Sequence, residues 1–194
     1  MPRVETLEII FASLMGLFAL SVFPIVITTR NRSWRRLVKK YGGTCKNSGI
    51  HLSISVRVYG AMVHVFQETD TETMDSRYKV EAEYLAQPGP IFEISRGSWP
   101  GEGSLSGIQI GWLRDFDSKF KVFAKDSEDI RKVLHEDRQR TLMRLTGGLQ
   151  TDAVLSADGS KVTYTTSDVP VSDKLEWAVT LVASVAAHAH EDIR

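Results

Sequence analysis

Hydrophobic and polar positions fall into three regimes along this chain. Ile9 to Thr29 (IIFASLMGLFALSVFPIVITT) is a run of 21 residues without one ionisable side chain. At about 1.5 Å of rise per residue, a helix of that length matches the hydrocarbon core of a bilayer. The run therefore reads as a single membrane-spanning helix, with Pro24 predicting a kink in its last turns. From Asn31 to Tyr41 the period becomes helical: Trp34, Leu37, Val38 and Tyr41 share one face, the arginines and lysines mostly occupy the other, and Gly42-Gly43 ends the segment. From Ile50 onward the pattern alternates.

The alternation predicts strands. Leu52, Ile54, Val56 and Val58 alternate with Ser53, Ser55 and Arg57; Tyr59-Gly60-Ala61 reverses the chain into a return strand from Met62 to Phe66. After a polar loop at Asp70–Ser76, the residues Tyr78, Val80, Ala82 and Tyr84 form a further strand with one wet face. Gln87-Pro88-Gly89-Pro90 is a turn, after which Ile91 to Ile94 returns. Such short connections imply antiparallel pairing.

Farther on, Phe120, Val122 and Ala124 read as a strand with Phe120 and Val122 in the core. Asp126-Ser127 caps a helix whose first turn carries Glu128 and Asp129. The stripe of Ile130, Val133 and Leu134 would next bury Asp137, so a break near His135 to Asp137 and two short helices are expected. Asp152–Ser156 and Lys161–Thr165 flank Asp158-Gly159, a type I′ hairpin signal. Ser172-Asp173 opens a last helix with Leu175, Ala178, Val179, Val182, Val185, Ala186 and Ala189 on one face. The expected fold is α+β: an antiparallel sheet of about seven strands with helices on one face, after one transmembrane helix. Its expected divisions are a tail and span at 1–29, a basic juxtamembrane amphipathic helix at 30–43 and a domain at 44–194.

Charge gives the span a direction. Arg3 alone precedes it, with Glu5 and Glu8, whereas Arg30, Arg32, Arg35, Arg36, Lys39 and Lys40 follow it. Basic residues beside a span stay on the cytoplasmic side. The N-terminus is thus expected outside and the domain in the cytoplasm, at the cell (inner) membrane; a cleaved signal would carry its charges the other way round. The whole chain balances 24 basic against 24 acidic residues. Residues 1–40 hold seven of the basic and two of the acidic ones, which leaves 17 against 22 beyond them, a net of −5. An acidic domain excludes nucleic acid as a partner for its bulk. Cys45 is the one cysteine, so an intramolecular disulfide is excluded. Asn31-Arg32-Ser33 matches a glycosylation sequon that has no meaning at a cytoplasmic membrane edge.

Candidate chemistry is sparse. The five glycines between Gly97 and Gly111 lack the lysine and hydroxyl residue that close a phosphate loop. His135-Glu136 begins like H-E-x-x-H, but Gln139 stands at the second ligand position. His188 and His190 lie about 200° apart on a helix and cannot share a metal while it holds. Asp115 and Asp117 flank Phe116 on the wet side of a predicted strand. No catalytic residue, cofactor or metal is expected.

The combination of Trp34-x-x-Leu37 after a basic collar, Asp115-Phe116-Asp117-x-x-Phe120-x-Val122, the leucines of the following helix and a closing helix resembles uncharacterised bacterial single-pass membrane-anchored proteins of about 200 residues. That resemblance implies the architecture and brings no activity with it. The reading is a membrane-tethered interaction or scaffold domain, with Arg35, Arg36, Lys39 and Lys40 touching anionic lipid and a protein partner as the second binding class. The alternative is a membrane-associated hydrolase with its site at Gly97–Asp117.

Overall fold

The computed structural model describes residues 31–48, 51–69, 76–86, 88–96, 106–108, 114–146, 153–168 and 172–191. The expected span at Ile9–Thr29, with Pro24, lies outside the described residues, as do the loop at 70–75 and most of the glycine-rich segment. Among the described residues, no helix is long and apolar enough to cross a membrane.

The alternating segments pair into one antiparallel sheet of nine strands among the described residues: β1 (Gly43–Ser48), β2 (His51–Val58), β3 (Ala61–Thr69), β4 (Ser76–Glu83), β5 (Ile91–Arg96), β6 (Ser106–Ile108), β7 (Phe120–Ala124), β8 (Ala153–Asp158) and β9 (Lys161–Thr166). Their order is β1-β2-β3-β4-β9-β8-β5-β7-β6. The two strands beyond the expected seven lie at the edges. β1 is polar and β6 is three residues long, and an edge strand needs backbone partners more than an apolar face. A second correction concerns β5, which does not return beside β4 but pairs with β7 and β8. The connection arches over the tip of the β8–β9 hairpin, where Tyr84 N–H donates to Ser160 O (3.0 Å) and Gly89 N–H to Gly159 O (2.8 Å).

The register explains the core. Val56, Val63, Ala82, Val162, Ala157, Phe92 and Ala124 form one row straight across the sheet, all on one face and all buried. The next row on that face runs through Ile54, Val65, Val80, Tyr164, Leu155, Ile94 and Val122, equally buried. On the opposite face stand Ser55, His64, Glu81, Thr163, Ser156 and Glu93. They make polar cross-strand pairs, such as Ser55 Oγ with His64 Nδ1 (2.8 Å) and Lys161 Nζ with Glu81 (3.3 Å).

Helices cover the apolar face. They are α1 (31–41), α2 (Arg114–Lys119), α3 (Ser127–Val133), α4 (Glu136–Leu145) and α5 (Ser172–Glu191). α5 crosses β2, β3, β4 and β9. Leu175, Ala178, Val179, Val182, Val185 and Ala186 are buried as expected, while the Ala189 side chain lies outside the described residues. Leu181 is buried too, on the side of α5 where α4 packs, and Ala183 is buried on the other flank of the stripe, the side that Glu176 shares. The break between α3 and α4 falls at Leu134-His135, which leaves Asp137 exposed. Asp126 caps α3 by accepting from the N–H groups of Glu128 (2.7 Å) and Asp129 (3.4 Å). Asp115 to Asp117 is helical, not extended: a three-residue alternation cannot separate the two periods, and Phe116 and Phe120, four apart, stack at 4.5 Å between centroids.

The loop of the β8–β9 hairpin differs from expectation, whereas the β2–β3 reversal falls at Tyr59-Gly60 as expected. In the β8–β9 hairpin the loop is Gly159-Ser160, one residue later than Asp158-Gly159, with the positive φ at Gly159 (88°) alone. Asp158 closes it instead, its carboxylate accepting from Ser160 N–H (2.9 Å), Ser160 Oγ (2.7 Å) and Lys161 N–H (2.9 Å). Burial acts to raise the Asp158 pKa, but these donors outweigh it and hold the carboxyl below its ordinary value. Both central residues are left-handed at the β2–β3 turn, Tyr59 at φ 50° and Gly60 at φ 84°, which is the type I′ pattern. A bulky aromatic residue is strained there. Tyr59→Asn should raise stability by about 1 kcal/mol, read from the urea midpoint, because asparagine tolerates that conformation. A drop in the midpoint would show that the exposed ring stabilises the fold.

Candidate functional site

The basic helix α1 is folded into the domain. Trp34 is fully buried, its ring edge-on to Tyr78 at 6.4 Å between centroids, and Leu37 is buried beside it. Val38 and Tyr41 pack against the same core. At about 100° per residue, Arg32, Arg35, Arg36 and Lys39 fall within one arc roughly opposite Trp34 and Leu37, and all four are exposed. No acidic residue occurs between 31 and 41. Lys40 lies at the border of that arc and is turned to the domain: its ammonium and the Tyr41 hydroxyl both donate to Glu176 Oε1 on α5. The Lys40 hydrogen bond, against the opposing effect of burial, holds the Glu176 carboxyl below its ordinary value, and the same bond raises Lys40.

A second feature lies at the other end of β4. A groove of about 200 Å³ opens between α4 and α5 beside the β2–β3 turn, lined by Tyr59, His135, Asp137, Arg138, Thr141, Thr180, Leu181 and Ser184. Leu85, itself exposed, donates its N–H to Ala186 O (3.1 Å) and so ties the end of β4 to α5 next to this turn. Arg138 is buried and organises the wall. Its Nη1 donates to Val133 O (2.6 Å), its Nη2 to Ser184 O (2.7 Å) and its Nε to Ser184 Oγ (3.1 Å). The Arg138 side chain thus satisfies a carbonyl at the end of α3 and joins α4 to α5.

Among the described residues, those considered for catalysis do not come together. Asp115 and Asp117 sit two apart on the six-residue α2, on different sides of it, the first exposed and the second half-buried. The glycines at 97, 101, 103 and 111 and the His188 and His190 side chains lie outside the described residues. His135 occupies the N-cap position of α4 without a side-chain capping bond. Cys45 is exposed on the edge strand β1. The groove itself escaped sequence reasoning. Its one local signal is the bulky Tyr59 directly before Gly60 at a tight reversal, where a small or amide residue is the norm.

No family model matches this chain. No curated protein matches it either. Among solved structures it is similar to the crystal structure of the mycobacterial trehalose monomycolate transport factor A, TtfA, with a TM-score of 0.55 at 8% identity over 81% of this chain and 92% of that one. At that identity the likeness is one of fold.

The α1–α5 contact has a defined pH dependence. A depressed carboxylate contributes stability above its unfolded pKa and loses it as pH falls through the folded one; a raised lysine contributes below its unfolded pKa and loses it as pH rises through the folded one. Hydrogen exchange of the 34–41 backbone should therefore be flat between about pH 6 and 9, after correction for intrinsic exchange, and accelerate as pH falls below the ordinary glutamate value of about 4.3. Glu176→Gln should remove the acid limb, with an effect of less than about 1 kcal/mol because the pair is solvent-exposed. An unchanged acid limb in that variant would assign it to another group.

Proposed function

We propose that this protein is a single-pass, membrane-tethered interaction module without catalytic chemistry, its N-terminus outside and its α+β domain in the cytoplasm. The span is Ile9–Thr29, and the contact with the bilayer surface is made by the basic side of α1 through Arg35, Arg36, Lys39 and Lys40, with Arg32 on the same arc. The observation that carries the reading is the division of labour on α1. Trp34 and Leu37 fix the helix to the domain, so the exposed charges are held as one rigid patch that has no acidic neighbour on its own helix. Each basic residue near an anionic surface contributes about 1 kcal/mol. Lys40 divides its charge between that surface and Glu176, which makes it the weakest of the group. A fold shared with a trehalose monomycolate transport factor supports a role in holding or passing on a molecule over one in catalysis.

A truncated chain starting at Asn31 should bind anionic vesicles, less so as salt rises, because surface attraction decays over about 8–10 Å at ordinary ionic strength. Neutral vesicles should leave it in solution, and replacing Arg35, Arg36, Lys39 and Lys40 by glutamine should abolish binding without unfolding the domain. Indifference of the unmodified chain to anionic vesicles at low salt defeats the lipid contact. Orientation is tested separately by the exposed Cys45 thiol. A membrane-impermeant maleimide should label it in inverted vesicles and not in intact spheroplasts; the reverse pattern overturns the topology.

A further inference from the structure

The groove between α4 and α5 has a chemical character that the membrane reading does not use. Thr141 and Thr180 both line it, and both donate their hydroxyl protons to carbonyls of their own helices, Asp137 O and Glu176 O, each at 2.9 Å. Their oxygens are left as acceptors toward a ligand. The Asp137 carboxylate adds two more acceptor oxygens, and the Arg138 guanidinium beside it supplies the opposite charge. An anion entering the groove meets Asp137; an ammonium meets Arg138. A neutral ligand rich in hydroxyl donors meets neither penalty and finds acceptors along the wall.

The rim adds a second requirement. Tyr59 is 63% exposed, yet it is held in a left-handed conformation that a glycine or asparagine would adopt without strain. Strain retained without burial points to a role for the ring itself. An aromatic plate beside a row of acceptors matches a pyranose, which has one face of C–H groups and a girdle of hydroxyls. An open groove of about 200 Å³ has room for one such ring.

The geometry points to a saccharide site in this groove: one neutral pyranose ring, stacked on Tyr59 and donating hydrogen bonds to Thr141, Thr180 and Asp137. The sugar is either free in solution or the headgroup of a glycolipid. The site stands independently of the lipid contact made by α1, so failure of the chain to bind anionic vesicles leaves it intact.

The full chain, kept in a detergent without a sugar headgroup, is examined by saturation-transfer NMR against D-glucose and maltose, and the truncated chain starting at Asn31, which lacks the span, by flotation with neutral vesicles with and without monoglucosyl diacylglycerol. Transfer to the free sugars assigns a soluble saccharide; retention by glucolipid vesicles alone assigns a headgroup. Either result supports the site. Thr180→Val, which removes an acceptor at constant shape, and Tyr59→Asn should each weaken the interaction about tenfold. Tyr59→Asn should do so while raising the unfolding midpoint, a combination that a merely structural role does not produce. The site is overturned by three results: no transfer and no selective retention, equal binding by both variants, or tighter binding of sodium phosphate or methylammonium than of glucose.

Discussion

One apolar sheet face, wide enough to need several helices, is the constraint on which this fold depends. Alternation gives every central strand a buried row and a wet row, and the buried rows are valueless until something covers them. α5 covers the middle. Ala178, Val179, Val182, Ala183, Val185 and Ala186 are all fully buried, and their small size lets the helix axis approach the sheet closely. A fully buried valine or leucine contributes about 1.5–3 kcal/mol, so α5 outweighs any single exposed ion pair in the molecule. The dependence is also one of chain order. The last helix sits on β2, β3 and β4, and the hairpin before it fills the gap between β4 and β5. The N-terminal and C-terminal halves are therefore each incomplete without the other, and folding must close contacts of long sequence separation.

Covering a sheet with several short helices creates helix ends inside the structure, and these bring polar groups inward. The break at Leu134-His135 exposes carbonyls of α3 that the following residues satisfy: Arg138 Nη1 donates to Val133 O at 2.6 Å and Gln139 Nε2 to Leu134 O at 2.7 Å. The same Arg138 reaches Ser184 on α5, so a local repair becomes a tertiary link. The Gln139 side-chain oxygen is buried and lacks a hydrogen-bond partner, which is the residual cost of that repair. The groove follows from this arrangement. Two helices joined through a guanidinium and a serine cannot close as tightly at that point as two helices joined by alanines.

Elements whose period is expressed over five or more residues were legible in the sequence. β2, β3, β4, β7 and α5 follow directly from their alternation or stripe, and the slip of phase after Leu134 located the α3–α4 break. Three things were not legible, each for a physical reason. Edge strands such as β1 are held by backbone bonds that leave no hydrophobic signature. The short Arg114–Lys119 segment offers too few positions to tell a strand from a helix. The insertion of β8–β9 between β4 and β5 is a matter of which strands meet across the sheet, and Gln87-Pro88-Gly89-Pro90 specifies a change of direction without specifying how far the chain travels. The groove belongs to this last class, since its walls come from β2–β3, α4 and α5, more than 100 residues apart at the extremes. The charged side of α1, by contrast, was plain from spacing alone; what packing added is that its other side belongs to the core.

That addition changes what α1 does mechanically. A basic amphipathic helix on a flexible tether would bring a domain near a surface in any orientation, whereas a helix whose Trp34 is locked against Tyr78 carries the domain with it. Tyr78 lies near the start of β4 and Leu85 just past its end, and seven residues of strand span roughly 23 Å. The chain therefore enters the domain at one end of β4 and the groove opens at the other. A membrane attached through Asn31 and a ligand held by Tyr59 would act on opposite ends of the same sheet, joined by the rigid strand β4 and by α5 packed on it. Perturbing one end need not disturb the other, and this separation makes the two functional readings independent of each other.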